Sequence, residues 1–270
     1  MGVQEILVIQ TGPEGPDAIS FIENFNLPEN VIAAFLPENW LSKRPLDLAN
    51  YVSVAKRIAS HLGIPVFAGA QYTRIHGSVR SIGLLALPDG RAYIICEKVH
   101  PSRSVGERGR LLEGRLYAPV DVGGLKVACI ICVDIFYPEL SRILALEDAI
   151  LLYTPSSIPE NRIELWHSML RARAAENAVY TLGVNKTGTA YPDGRLTGGF
   201  SVLYTPEGVM GASLSREPGF MVVSIDTDAP RAADARRGFR GDLVRYYSPL
   251  YDRLRRGLRS PSPISSKGEY

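Results

Sequence analysis

Glu38, Lys98 and Cys132 stand where reactive side chains interrupt or close apolar runs: Glu38 follows VIAAFLP, Lys98 follows AYIICE, and Cys132 closes LKVACII. A carboxylate, an ammonium and a thiol brought together form a set suited to nucleophilic acyl transfer. The thiol needs a base, and a carboxylate in a dry pocket has its pKa raised toward that task. The developing oxyanion needs positive charge or N–H donors, which Lys98 and the backbone N–H of Val133 can supply. Each residue also has a plainer reading. Glu and Lys at strand ends are commonly solvated, and a cysteine in an apolar run is commonly a small core hydrophobe.

The positioning of such a trio falls to the elements around it. Short runs rich in Val, Ile and Leu recur at 5–10, 31–36, 65–70, 81–87, 92–96, 125–132, 149–154, 179–184, 200–205 and 220–225. Many are apolar on successive residues, which predicts strands buried on both faces. Between them, 46–63 carries Leu48, Val52, Ala55, Ile58, Ala59 and Leu62 on one helical stripe, stopped by Gly63. Helices are also predicted over 138–148, opened by Pro138, and over 159–178, with Ile163, Trp166, Leu170 and Ala174 on one face. Turn signals at PDG 88–90, PDG 192–194 and PEG 206–208 predict hairpin links, so the sheets should be mixed. The pattern is α/β, with helices covering sheets. One domain is read over 1–258, and 259–270 reads as a polar tail, loose or strapped across a neighbouring subunit.

Bulk properties narrow the field. A net charge of +2 in 270 residues gives no electrostatic case for a nucleic-acid or membrane partner. The N-terminal segment lacks a signal-peptide pattern and no run reaches the length of a membrane span, so the expectation is a cytoplasmic protein. Three cysteines, Cys96, Cys129 and Cys132, make no disulfide framework. Cys129 and Cys132 have the C-x-x-C spacing of a metal or redox pair. Read as one strand they point to opposite faces, and no second pair completes a zinc site, so no metal is expected.

The segments FLPENW (35–40), EKVHP (97–101), ICVDIFYPEL (131–140), YTPSS (153–157), Trp166, RARAAENAVYTLGVNKTG (171–188) and GGFSVLYTPEG (198–208) occur in order at consistent spacings. Together they resemble the nitrilase, or carbon–nitrogen hydrolase, superfamily, over about residues 5–250. The resemblance implies a single-domain four-layer α-β-β-α sandwich with two mixed sheets. It also implies a homodimer or higher homo-oligomer, a small-molecule amide substrate and no cofactor. By motif, the family's catalytic Glu, Lys and Cys fall on Glu38, Lys98 and Cys132. A second family glutamate lies between the Lys and Cys strands; Glu107 and Glu113 are the candidates, and Glu107 is preferred.

The chain also departs from the family pattern. VRS at 79–81 replaces an aromatic–Asn–small segment, which puts Arg80 among residues expected to reach the site. Cys96 stands near a usual aromatic. Family members acting on nitriles follow the cysteine with Trp–Glu, whereas Val133 and Asp134 follow here, which favours amides. Carbamoyl-amine hydrolysis and a catalytically silent binding or scaffold member are the alternatives. Trp40 and Phe136 are candidate pocket walls, with core packing as the equal alternative. Asn185 is a candidate near the pocket, with loop fixing as its alternative. Asp134 and Glu139 are expected to hold the turn and helix start after the cysteine, and Arg173 with Glu176 to form a supporting pair. The four histidines are read as structural, with His100 a candidate for the pocket mouth.

Overall fold

The computed structural model describes residues 2–265. In chain order it begins with β1 (Val3–Gln10), α1 (Pro16–Glu23), β2 (Val31–Phe35), β3 (Leu46–Asp47) and α2 (Leu48–Leu62). β4 (Val66–Ile75), β5 (Ser78–Ala86), β6 (Ala92–Glu97), β7 (Val120–Val122), β8 (Leu125–Cys129), α3 (Pro138–Leu146) and β9 (Leu151–Ser156) follow. Then come α4 (Ile163–Asn177), β10 (Tyr180–Asn185), β11 (Thr187–Ala190), β12 (Leu196–Gly198), β13 (Val202–Tyr204), β14 (Met210–Ser213) and β15 (Gly219–Asp226). The described chain closes with α5 (Ala229–Arg237), α6 (Phe239–Arg255) and β16 (Ser262–Pro263).

Two large mixed sheets result. One runs β15-β1-β2-β4-β5-β6-β16, with β3 beside β4, and the other β14-β13-β10-β9-β8-β7. Parallel pairs lie at their centres (β1–β2–β4 and β8–β9–β10) and antiparallel pairs flank them. Strand alternation explains how the sheets stack. Ile6 and Val8 face a core shared with Phe35, Phe67, Val127, Leu151 and Tyr153, which come from both sheets. Leu7 and Ile9 face the other way, onto Ala55 and Ile58 of α2. On the second sheet Ala128 and Leu152 pack outward on Leu144 and Ala145 of α3. The order is helix, sheet, sheet, helix, as the resemblance implied. Tyr153 reaches across the middle and its hydroxyl donates to the Leu36 carbonyl at the end of β2.

Local chemistry sets the element boundaries. The predicted stripe of α2 is buried in full, and Gly63 takes the left-handed conformation at its end, its N–H bonding Ala59 O at 2.9 Å. α4 lies close on β10 because Gly183 has no side chain: a Cβ there would meet Trp166 and Leu170 at 2.5 Å. The three Gly-containing turns close hairpins β5–β6, β11–β12 and β13–β14.

Two expectations are corrected and one omission is filled. β8 ends at Cys129, and Cys132 opens a 3-10 turn over Cys132–Phe136. Cys129 and Cys132 therefore do not share a strand. The segment after 258 is not wholly loose: β16 pairs with β6 of the same chain, Ala118 N–H donates to Arg259 O at 2.7 Å, and Ile264 is buried. Residues 266–270 of that tail lie outside the described residues. Residues 229–255, rich in arginine and given no helix in the sequence reading, form α5 and α6; α6 contains Pro249 and buries no residue. Among the described residues no helix is long and apolar enough to cross a membrane.

Candidate active site

The site forms where chain segments leave β2, β6, β8, β9 and β10 on one rim, around a cavity of about 540 Å3. Glu38 lies three residues past β2. Its N–H donates to Ser156 O at 3.2 Å, and Asn39 N–H donates to Ala70 O at 2.7 Å. This places the carboxylate over the bulge of β4 between Phe67 and Ala70. The bulge requires Gly69, since φ there is +79° and a Cβ would come within 1.9 Å of Pro37 O.

Lys98 lies one residue past β6 and is 2 % exposed. Its Nζ donates to Glu38 Oε1 at 2.9 Å and to Glu107 Oε1 at 2.7 Å. Glu107 in turn accepts the Tyr72 hydroxyl at 2.6 Å and the Ser102 N–H at 2.5 Å. The structure thus brings Glu107 to the lysine. Glu113 stays away from it, its carbonyl accepting Arg80 Nη1 at 2.8 Å. Burial opposes the charge on Lys98, but the two carboxylates outweigh it and hold the ammonium well above its ordinary pKa.

Cys132 sits in a left-handed conformation, φ +51°, a backbone state costly for a residue with a Cβ. Bonds on every side of the turn stabilise it. Asp134 accepts the Val99 N–H, the His100 N–H and His100 Nδ1, each at 2.9 Å, which ties the Lys98 segment to the cysteine turn. From α4, Arg173 donates Nε to Ile135 O at 2.9 Å and Nη2 to Phe136 O at 3.3 Å, with Glu176 bound at 3.0 Å. The thiol lies beside the Glu38 carboxyl and the Ser157 backbone. Burial raises the Cys132 pKa and the Glu38 charge adds to it. Burial raises the Glu38 pKa too; Lys98 pulls it back and Glu107 pushes it further up. The site sets a thiol and a carboxyl, both with raised pKa, beside a held cation. That arrangement can add a nucleophile to a carbonyl and manage the charge it creates.

The remaining candidates divide. Phe136 and Val133 line the cavity. Trp40 does not: it is fully buried in the core against α2, and its indole N–H donates to Ala68 O at 2.7 Å. Arg80 turns to Glu97 and the Glu113 carbonyl, away from the cavity. Asn185 is fixed in the core, bonding Ile158 N–H and the carbonyls of Ile158 and Gly199. His100 stacks on Tyr137 with ring centroids 3.6 Å apart and steadies Asp134. Cys96 and Cys129 are buried in the intersheet core. Among the described residues no cluster of His, Cys, Asp or Glu is arranged to hold a metal. Two residues escaped the sequence reading. Tyr72 buttresses Glu107. Lys186, fully buried, lines the cavity and donates to Glu14 Oε1 at 2.6 Å and to Asn39 O at 3.0 Å, beside Glu38. The signal for Lys186 was a lysine directly after the apolar strand YTLGVN.

The Carbon-nitrogen hydrolase family model matches residues 27–235. The chain belongs to the carbon–nitrogen hydrolase family. Among relatives of this family, a 2-oxoglutaramate amidase of Bacillus subtilis is 28% identical over 249 residues, covering 88% of this chain and 90% of that one. A deaminated glutathione amidase of Synechocystis is 29% identical over 164 residues, 56% of this chain and 59% of that one. The fold matches that of XC1258, a CN-hydrolase superfamily protein from Xanthomonas campestris, with a TM-score of 0.81. That match has 23% identity and covers 90% of this chain and 97% of the other. The carbon–nitrogen hydrolase fold is therefore shared nearly end to end, and amidases stand among the sequence relatives.

Proposed function

We propose that this carbon–nitrogen hydrolase is an amidase that cleaves small carboxamides through a thioester on Cys132. The observation that carries this is the pair of hydrogen bonds that Lys98 Nζ donates to Glu38 and Glu107, facing Cys132 in one cavity. Glu38 takes the thiol proton as the sulfur bonds to the amide carbon. Negative charge then gathers on the carbonyl oxygen, which Lys98 and the Val133 N–H stabilise. As the carbon–nitrogen bond breaks, Glu38 returns the proton to the leaving nitrogen, so ammonia or an amine departs. Water then adds to the thioester, giving its proton to Glu38, and the C–S bond breaks to release the acid. That proton restores the thiol. Glu107, held by Tyr72 and Ser102, keeps the ammonium aimed between acid and oxyanion.

The test is ammonia release over a panel of amides, carbamoyl compounds and nitriles, with mass spectrometry of the protein during turnover. Turnover of amides with an acyl adduct on Cys132, absent in Cys132→Ala, is the expected result. Undiminished activity in Cys132→Ala would end the proposal.

A further inference from the structure

Glu38 and Cys132 reach the cavity from different sheets, Glu38 after β2 of one and Cys132 after β8 of the other. The spacing of base and thiol is therefore set by whatever joins the two sheets at this rim. Residues 36–45 form no strand, and a bridge between Glu38 and Ala70 ties them to β4. Asn39, directly after the base, takes the left-handed conformation, φ +53°. Its N–H donates to Ala70 O at 2.7 Å and its Oδ1 accepts the Tyr72 N–H at 3.3 Å, both bonds to β4. Those bonds hold Asn39 to its own sheet. The bond to its carbonyl comes from the other sheet: Lys186, one residue past β10, donates Nζ to Asn39 O at 3.0 Å.

Lys186 is itself fixed at its root. Before it, Asn185 bonds Ser201, Ile158 and Gly199. After it, Thr187 N–H donates to Thr11 O at 2.9 Å, and the Lys186 carbonyl accepts the Gly199 N–H at 3.1 Å. The side chain is wholly shielded from solvent and also meets Glu14 Oε1 at 2.6 Å. Burial pulls the Lys186 pKa down, and the Glu14 carboxylate offsets part of that. A buried ion pair is seldom worth more to stability than apolar side chains of equal volume, so stability alone does not account for a charge here. Resting on the amidase reading above, we infer that Lys186 is a positioning residue: through the Asn39 carbonyl it sets where Glu38 stands relative to the Cys132 thiol. A shift of about 1 Å at a reacting group can cost about 10²-fold in rate.

Lys186→Met removes the donor and keeps the apolar stem, while Glu14 retains Lys43 at 3.6 Å. On an amide substrate, kcat at its pH plateau should fall about tenfold to a hundredfold, with KM within about threefold of wild type. Lys186→Arg, which keeps the charge and the donors, should stay within about fivefold of wild type. A lowered melting point with kcat unchanged would make the ion pair structural and overturn the inference. So would a kcat profile that moves along the pH axis with its plateau intact, since Lys186 would then act by charge alone. Alkylation of Cys132 by iodoacetamide reads the base and thiol without any substrate. At pH ~7, Lys186→Met should move that rate at least about threefold, in the direction in which Glu38→Gln moves it. Added to Glu38→Gln, it should leave the rate within about twofold of that variant alone, because residues acting as one unit are not additive. Additive effects would show that Lys186 does not act through Glu38, and overturn the inference while leaving the amidase reading intact. If the wild-type protein turns over no amide, the amidase reading falls and the alkylation cycle alone decides the role of Lys186. Should Lys186→Met not fold, Lys186→Gln, uncharged and one bond shorter, takes its place in every measurement. A chain that folds with neither makes Lys186 structural and overturns the inference.

Discussion

Lys98 is a buried charge bound to two buried carboxylates, and the one with the most to do. Replacing it with Met keeps the apolar stem, but leaves two buried carboxylates facing each other. Turnover should fall by about 10²–10³, the cost of one preorganised oxyanion donor. The melting temperature should fall as well, consistent with about 3–5 kcal/mol for removing one member of a buried ion pair. Near-normal activity with lowered stability would make the lysine structural alone. Glu38 gives the opposite sign. Its folded pKa is raised above the ordinary 4.5, so its protonated form favours folding. That contribution is full below the unfolded pKa and is lost as pH rises through the folded one. Glu38→Gln mimics the protonated form. It should abolish turnover yet melt above wild type at pH ~8, with the gain vanishing below the ordinary carboxyl value. A variant that melts lower at high pH would mean the ionised form is the one the fold prefers. The three thiols differ too. Cys132 lines the cavity, while Cys96 and Cys129 are buried in the core. One equivalent of iodoacetamide should inactivate the protein at Cys132, at a rate still rising with pH past the ordinary thiol range because its pKa is raised. Labelling of Cys129 at a matching rate in the folded protein would deny Cys132 its special environment.

At the scale of elements, the site depends on the turn that Asp134 fastens to the segment after β6. Asp134→Ala removes three hydrogen bonds from a buried carboxylate. A loss of about 3 kcal/mol in stability is expected, with turnover reduced even where the variant is fully folded. Denaturant melts and kinetics on one sample check both. The sequence made the trio legible because each reactive residue breaks an apolar run, and runs of that kind become buried strands. It hid the turn at Cys132 because Ile130 and Ile131 continue the apolar pattern of β8; a strand and a buried 3-10 turn read alike over three residues. Trp40 was ambiguous for a related reason, since an aromatic beside Glu38 has the same composition whether it faces core or cavity. Tyr72 and Arg80 lie on neighbouring strands, and which of them meets the acid depends on pairing across β4 and β5, which no local pattern encodes. The helices α5 and α6 were missed because α5 offers only alanine and proline as apolar residues and Pro249 argues against a helix over α6.

Across the whole molecule, α6 presents Phe239, Val244, Tyr246, Tyr247 and Leu250 to solvent, a run of large apolar side chains among arginines. Such a surface suits a subunit contact. Light scattering at micromolar concentration is expected to show at least a dimer, and charge substitutions at Tyr246 and Leu250 should yield a protomer near the chain mass of 29.6 kDa. A wild-type mass at that value would leave α6 without this role. One edge of the large sheet is closed by the chain itself. β16 covers β6 through Ser262 and Pro263 opposite Ile94 and Tyr93. Proline brings no N–H to the next position outward, so the strand that ends the sheet is a poor template for another. Cutting the chain after Leu258 would strip this cover and leave the β6 backbone, one residue from Lys98, open to pairing with other chains. The short tail therefore acts as a solubility device: its loss should show as turbidity on warming and amyloid-dye binding before any loss of affinity for substrate.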